Sequence, residues 1–311
     1  MTPPLVSVVL PTYNREALLR DSIASVVAQT HDHWELIIVD DGSTDGTRAF
    51  LETVADPRIH ILLEEHTGNS AIARNVGIAK ATGVYVAFQD DDDLWVPEKL
   101  AMQLGQLDAH PECGWSYTDA EFIDAAGQPN LLLRRPPWRT YDGWILEDLI
   151  AMRAAIPLPS VMVERRVLDI IGGFNESLPR NHDLELWMRV AEQSQVTALA
   201  DRLTKVRHHP GNRFGLQLDE ALRIDANLAG LQARTASPRI RRLCRERRTV
   251  MSAHFANRFR YADRYPEAWQ VLRTSFPHSW WSVRWWMSVV KTWLRPMLPS
   301  GLLSRYQAWA V

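Results

Sequence analysis

With 311 residues, of which 46% are hydrophobic and 23% charged, the chain has an ordinary globular composition that excludes a disordered protein and allows one large domain or a domain with an appendage. Its two cysteines, Cys113 and Cys244, have no paired spacing, which excludes a disulfide framework and a zinc site and fits a reducing compartment. The net charge of −2 conceals an acidic body, with 20 Lys/Arg against 34 Asp/Glu over residues 1–233, and a basic tail, with 15 against 3 over residues 234–311.

The first stretch, MTPPLVSVVLPTYN, is apolar but has no basic n-region and meets Pro11 and Asn14 too early for a signal peptide. It reads as a strand, Val6 to Leu10, followed by the loop Thr12-Tyr13-Asn14. Asn14 is placed to cap a helix reaching Thr30, whose Leu18, Leu19, Ile23, Val26 and Val27 recur at helical spacing. Trp34 to Val39 is a second strand that ends in Asp40 and Asp41, after which Ser43 or Thr44 can cap a helix through Val54. Arg58 to Leu63 is a third strand, Asn69 to Ala81 a helix, and the β-branched and aromatic run Val84 to Phe88 a fourth strand. This alternation predicts an α/β fold, a mostly parallel Rossmann-like sheet flanked by helices, with ligands outside the carboxyl ends of the strands.

The fourth strand runs straight into Asp90, Asp91, Asp92 and Asp93. Adjacent carboxylates at the end of a buried strand repel and are partly desolvated, so a cation is needed to hold them together. In an extended chain Asp90 and Asp92 would lie on one side, about 6–7 Å apart at roughly 3.3 Å per residue. That spacing suits a hard divalent cation, Mn²⁺ or Mg²⁺, with coordination positions left for a diphosphate. The competing reading is an acidic turn capping the next helix, with Pro97 and Glu98 in its first turn. Neither GxGxxG nor GxxxxGK[ST] follows the first strand, which argues against a dinucleotide dehydrogenase and a P-loop enzyme. Tyr13 offers an aromatic face and Asp41 an acceptor for a base N–H or ribose hydroxyl, so the loops together describe a nucleotide-diphosphate site.

Three segments, VSVVLPTYNREALLRDSIASVVAQT, WELIIVDDGSTDGT and ARNVGIAKATGVYVAFQDDDDLWVPEKL, agree in order and spacing with the family 2 inverting glycosyltransferases of glycosyltransferase-A fold, whose nucleotide-binding half they resemble. The resemblance is strong over residues 5–100, traceable to about residue 210 and absent beyond. It implies that Pro11, Tyr13 and Asp41 contact the nucleoside, with Arg74 near the donor. It also implies that Asp90 and Asp92 form the DxD pair, Asp92 binding the metal. Asp91 stands where relatives often have a small residue; it joins the donor-binding candidates and leaves open which carboxylate holds the metal.

Beyond Trp95 the sequence predicts a helix from Pro97 to Ala109, a strand from Gly114 to Ile123, an acceptor-facing loop over 130–159 with a short helix near Trp144 to Met152, and a strand at Ser160 to Val163. A further helix runs through Ile171 to the break Gly172-Gly173-Phe174. In Arg180-Asn181-His182-Asp183-Leu184-Glu185-Leu186-Trp187, Asp183 near a helix start is either an acid stabilised by the helix dipole or a catalytic group. The resemblance aligns it with the family's catalytic base, His182 standing where relatives often have Glu. In that role Asp183 takes the acceptor hydroxyl's proton while the metal steadies the departing diphosphate. Leu203 to Pro210 is a last strand followed by a loop, and His208, His209 and Arg213 lie either in a solvated turn or where the family closes over the donor.

The expected organisation is a catalytic domain over 1–215, with a nucleotide-binding half (1–100) and an acceptor half (101–215), and a helical extension over 216–311. Helices at Leu216 to Thr235 and Pro238 to Arg258 precede Ser279 to Arg295, where five tryptophans sit beside Arg284, Lys291 and Arg295. Charges interrupt the apolar runs before the ~18–20 residues needed to span a bilayer, so this segment reads as an interfacial helix, or else as one packed on the catalytic domain. An anionic membrane surface fits the basic tail better than nucleic acid, for which no recognition motif is present. The resulting expectation is a cytoplasmic enzyme, peripheral at the inner membrane face, that moves a sugar from a UDP-sugar to a glycan or lipid-linked acceptor in polysaccharide synthesis. Two alternatives share the sheet. A sugar nucleotidyltransferase would carry a glycine-rich basic loop where this chain has PTYNRE, and a non-catalytic nucleotide-binding scaffold would not need both acidic centres.

Overall fold

The computed structural model describes residues 3–130, 133, 139–178, 182–208 and 217–294. The chain divides into two compact units, with the boundary at residue 213.

The first unit is built on one eight-stranded sheet. Its strands are β1 (Val6–Thr12), β2 (Trp34–Asp40), β3 (Ile59–Leu63), β4 (Tyr85–Phe88), β5 (Leu94–Trp95), β6 (Cys113–Ile123), β7 (Met162–Glu164) and β8 (Gln195–Arg207), in the order β3-β2-β1-β4-β7-β6-β8-β5. The parallel part is β3-β2-β1-β4, joined by α1 (Glu16–Val27), α2 (Thr47–Leu51) and α3 (Ser70–Lys80). β7 then enters antiparallel between β4 and β6, and β6 and β8 run parallel, so the sheet as a whole is mixed. β1 and β2 are buried along their whole length because helices cover both faces, which is why they read as unbroken apolar runs. On one face Val6, Val8, Leu36 and Ile38 pack with Leu19, Ile23 and Val26 of α1. On the other, α3 approaches so closely that a Cβ at Gly77 would stand 2.5 Å from Val9 Cγ1.

Several local expectations change. Asn14 does not cap α1; it has φ +51°, and its side-chain oxygen accepts from the backbone N–H of Thr44 at 2.7 Å and Asp45 at 3.2 Å. The loop after β1 is thereby pinned to the loop after β2. Asn69 does cap α3, accepting from Ala71 N at 3.1 Å. Helix α4 (Lys99–Ala109) begins two residues after Pro97, and β8 is longer than its expected Leu203 start, because its first half pairs with β6. α5 (Leu146–Ile150) and α6 (Arg165–Ile171) precede α7 (His182–Gln193), which lays Leu186, Trp187 and Val190 into the core.

The second unit is helical: α8 (Leu218–Arg234), α9 (Pro238–Tyr261), α10 (Tyr265–Ser279) and α11 (Val283–Leu294). The sequence reading leaves α10 unassigned, since Pro266 opens it and Pro277 lies in its last turn. The predicted helix from Ser279 splits accordingly: Trp280 and Trp281 lie in the turn between α10 and α11. Cys113 and Cys244 are both buried and are not joined in a disulfide.

Candidate functional site

The carboxyl ends of β1, β2 and β4 bring Tyr13, Asp41 and the acidic quartet to one edge, as the alternation of strands and helices requires. The two acids after β2 divide their roles. Asp40 is fully buried, accepting from Ser43 N and, at 2.6 Å, from Arg48 Nε, so it fastens the loop. Asp41 accepts from Thr67 N and Thr67 Oγ1, both at 2.8 Å, and from Gly68 N at 3.0 Å. Tyr13 stacks on His66, with ring centroids 4.1 Å apart and planes 19° from parallel. Pro11 lies within β1, paired in register with Val39.

The quartet is not an extended strand end. Asp93 N donates to Asp90 O at 3.2 Å, closing a turn, so the extended alternation expected for Asp90 and Asp92 does not form. Arginines from this chain supply cationic partners. Arg15 pairs with Asp92 and, at 3.2 Å, with Asp91, which also accepts from Thr12 Oγ1 at 2.9 Å. Arg74 is buried and pairs with Asp90. Arg207, at the end of β8, donates from its backbone N to Asp93 Oδ1 and from Nε to Asp92 O, both at 2.8 Å.

These cations do not balance the site. Burial, with repulsion from neighbouring carboxylates, raises the pKa of Asp90 despite Arg74. Burial raises Asp91 to about 7, against the pull of Arg15. Asp93 is raised well above the usual carboxylate range, again mainly by burial. Burial and mutual repulsion thus outweigh the pull of the arginines, and the turn's hard oxygen donors fit a divalent cation. Among the described residues no three His, Cys, Asp or Glu side chains form a ready-made metal cage.

Arg74 links this cluster to α7. Its Nη1 donates to Ser70 Oγ at 3.0 Å and to His182 Nε2 at 2.8 Å, while Nη2 holds Asp90. At the position where relatives often have Glu, His182 thus serves as an acceptor for Arg74. Asp183, the next residue, is half-buried and near enough to Asp90 for the two carboxylates to repel. Among the described residues it accepts no hydrogen bond. His208 N donates to Ile123 O at 2.7 Å, just past β8. His209, with Arg180, Asn181 and Arg213, lies outside the described residues.

The site so assembled combines Tyr13, Asp41, Arg74, Asp90, Asp91 and Asp92 with Asp183. Sequence reasoning missed Arg15, His66 and Arg207. Arg15 follows Tyr13-Asn14 directly, and that adjacency to a candidate binding residue is the one local signal any of the three carried.

Residues 7–141 match the model of the family described as Glycosyl transferase family 2. The chain is 36% identical over 193 residues to a putative teichuronic acid biosynthesis glycosyltransferase, TuaG, from Bacillus subtilis (strain 168), covering 61% of this chain and 73% of that one. It is 30% identical over 195 residues, 63% of this chain and 73% of the other, to the Escherichia coli UDP-Glc:alpha-D-GlcNAc-diphosphoundecaprenol beta-1,3-glucosyltransferase WfgD. A solved mannosyltransferase from Pyrobaculum calidifontis, in complex with GDP-Man and Mn²⁺, superposes with a TM-score of 0.60 at 20% identity, over 98% of this chain and 83% of that one.

Proposed function

Since the chain belongs to glycosyl transferase family 2, we propose that it transfers a sugar from a UDP-sugar to an acceptor hydroxyl with inversion, using Mn²⁺ or Mg²⁺. The observation that carries this reading is the meeting of Asp183 with Asp90 through the Arg74–His182 link, which sets a proton acceptor beside the acidic turn.

Asp183 takes the proton of the acceptor hydroxyl as that oxygen attacks the anomeric carbon. One displacement inverts the configuration, so no second carboxylate nucleophile is needed. Asp92 and Asp90 would hold the divalent cation, which supplies positive charge for the departing diphosphate. Arg15 and Arg74 add fixed cations at the same edge. Tyr13 stacks the base once His66 swings aside, and Asp41 orients the nucleoside through its remaining acceptor capacity. Pro11 and Asp91 line the donor side, and His208, just past β8, is a candidate to close over it.

The acceptor is a glycan or lipid-linked sugar of a surface polysaccharide, consistent with the names of TuaG and WfgD. The enzyme works peripherally at the inner face of the cell membrane; no described helix is long and apolar enough to cross one. Calorimetric titration of UDP with Mn²⁺, then with EDTA, beside Asp92→Asn tests the donor site. Metal-dependent binding lost in Asp92→Asn is expected. Binding of GDP or dTDP instead would change the donor, and failure of all three nucleotides would overturn the reading.

A further inference from the structure

α11 has a buried face and an exposed apolar face. Trp285, Ser288 and Thr292 are buried. Val283, Trp286, Met287, Val290, Trp293 and Leu294 are exposed and recur at helical spacing as an apolar stripe. With Trp280 and Trp281 of the preceding turn, four tryptophans here are between 46 and 59% exposed, although tryptophan is normally much more buried. Where these two faces meet, Arg284 and Lys291 form a third line with Met287 of the stripe and Ser288 of the buried face.

That third line is one wall of a pocket of about 280 Å³, whose other wall is Val250, Ala253, His254 and Asn257 of α9. At roughly 30 Å³ per water this is room for a phosphodiester and a few hydroxyl-bearing carbons. Its polar lining is cationic or neutral. Among the described residues Arg284 and Lys291 meet no carboxylate within ion-pair distance, whereas Asp219, Asp225, Glu246 and Glu267 are engaged by Arg223, Arg248, Arg242 and Arg264. Asn257 Oδ1 is buried without a hydrogen-bond partner among the described residues, an acceptor awaiting a donor. Burial, with the charges of Arg258 and Arg247, lowers the pKa of His254.

We propose that the α9–α11 pocket binds the headgroup of phosphatidylglycerol at a bilayer surface, Arg284 and Lys291 taking the phosphate and Asn257 a glycerol hydroxyl. The apolar stripe of α11 then enters the acyl boundary beside the pocket, so one helix supplies both the anchor and the lipid-phosphate site. Arginine and lysine stems flanking an apolar face suit that depth, since their heads reach the phosphate layer. The assignment deepens the reading of the enzyme as peripheral to a membrane and rests on it.

The test is flotation of the full chain with vesicles of phosphatidylcholine alone and of phosphatidylcholine mixed with phosphatidylglycerol. It compares wild type, Arg284→Ala/Lys291→Ala, and Arg241→Ala/Arg273→Ala. The last pair removes the same charge from exposed positions that do not line the pocket. At about 1 kcal/mol for each cation at an anionic surface, the pocket pair is expected to weaken binding to mixed vesicles roughly 30-fold. The control pair should change it far less, and Arg284→Lys/Lys291→Arg should retain most of it. Equal losses from the two alanine pairs would overturn the pocket while leaving a diffusely basic, membrane-bound enzyme. No binding by wild type to mixed vesicles would overturn the pocket and the membrane reading together, and would leave the nucleotide site to be judged by the UDP titration.

Discussion

Replacing His182 by Gln tests the link between the acidic turn and the base helix. His182 is buried, and its Nε2 accepts from Arg74 Nη1 at 2.8 Å, so its proton sits on Nδ1, facing Leu178 O at 3.3 Å. Burial first, then the Arg74 charge, lowers its pKa from 6.5 to about 4, although Asp183 pulls the other way. In the unfolded chain the imidazole takes up its proton near 6.5, so between about 6.5 and 4 the unfolded state binds more protons than the folded one. The contribution to stability is complete above 6.5 and is lost as pH falls toward 4. At 1.36 kcal/mol per unit the full loss is ~3 kcal/mol. Gln at this position keeps an oxygen for Arg74 but cannot titrate. The stability of wild type minus that of His182→Gln, from urea unfolding at a series of pH values, should therefore shrink by ~3 kcal/mol across this window. Contributions from Asp90, Asp91 and Asp93 run in the opposite direction and cancel in the difference. A histidine resonance titrating near 4 and missing from the variant should accompany it. Parallel stability curves, or titration of His182 near 6.5, would refute the account.

Three further outcomes follow from the same geometry. Asp183→Asn should lower kcat roughly 10²–10⁴-fold while leaving UDP affinity in calorimetry unchanged, because the side chain acts on the acceptor and not on the nucleotide. Arg15→Ala leaves Asp91 and Asp92 with less compensation. It should cost about 3–5 kcal/mol in unfolding experiments without divalent cation and markedly less with Mn²⁺, whose charge replaces the guanidinium. Lys99 is fully buried, bonded to Gln103 Oε1 at 2.7 Å and set over the Trp95 ring, with its pKa pushed well down by burial. Lys99→Met should therefore leave thermal stability unchanged or raise it.

The parts of the fold that the sequence made readable are those whose signal is local. β1 and β2 are continuous apolar runs because both faces are covered, and Asn69 announces α3 because a cap acts within one turn. The first half of β8, Gln195 to Arg202, was hidden because it lacks strict alternation: Val196 and Thr197 are buried in succession, Ala200 and Asp201 exposed in succession, and Arg202 is paired across the sheet with Asp119. Asn14 looked like a cap because its type and place fit one, but a contact thirty residues away claims its side chain. The four aspartates left a strand end and an acidic turn both open, since nothing in DDDD tells one from the other, and it is the turn that forms. Arg15 and Arg207 reach that turn across 77 and 114 residues of sequence, a separation no periodicity encodes. Tyr13 could be chosen for its aromatic face, but its partner His66 comes from a loop after a different strand.

The Arg207 side chain has a practical consequence for anyone dividing this protein. Besides Asp92 O it donates to Ala125 O at 3.0 Å and reaches Asp21 Oδ2 at 3.4 Å, so α1, the acidic turn and the loop after β6 all converge on the last residue of β8. Only a few residues separate it from the boundary of the helical unit. A shortened chain that stops before residue 207 keeps every carboxylate of the acidic turn yet loses the guanidinium that fixes where they stand. Such a fragment should bind nucleotide poorly for want of a fastening at its margin, and a cut placed on the far side of 207 avoids the fault.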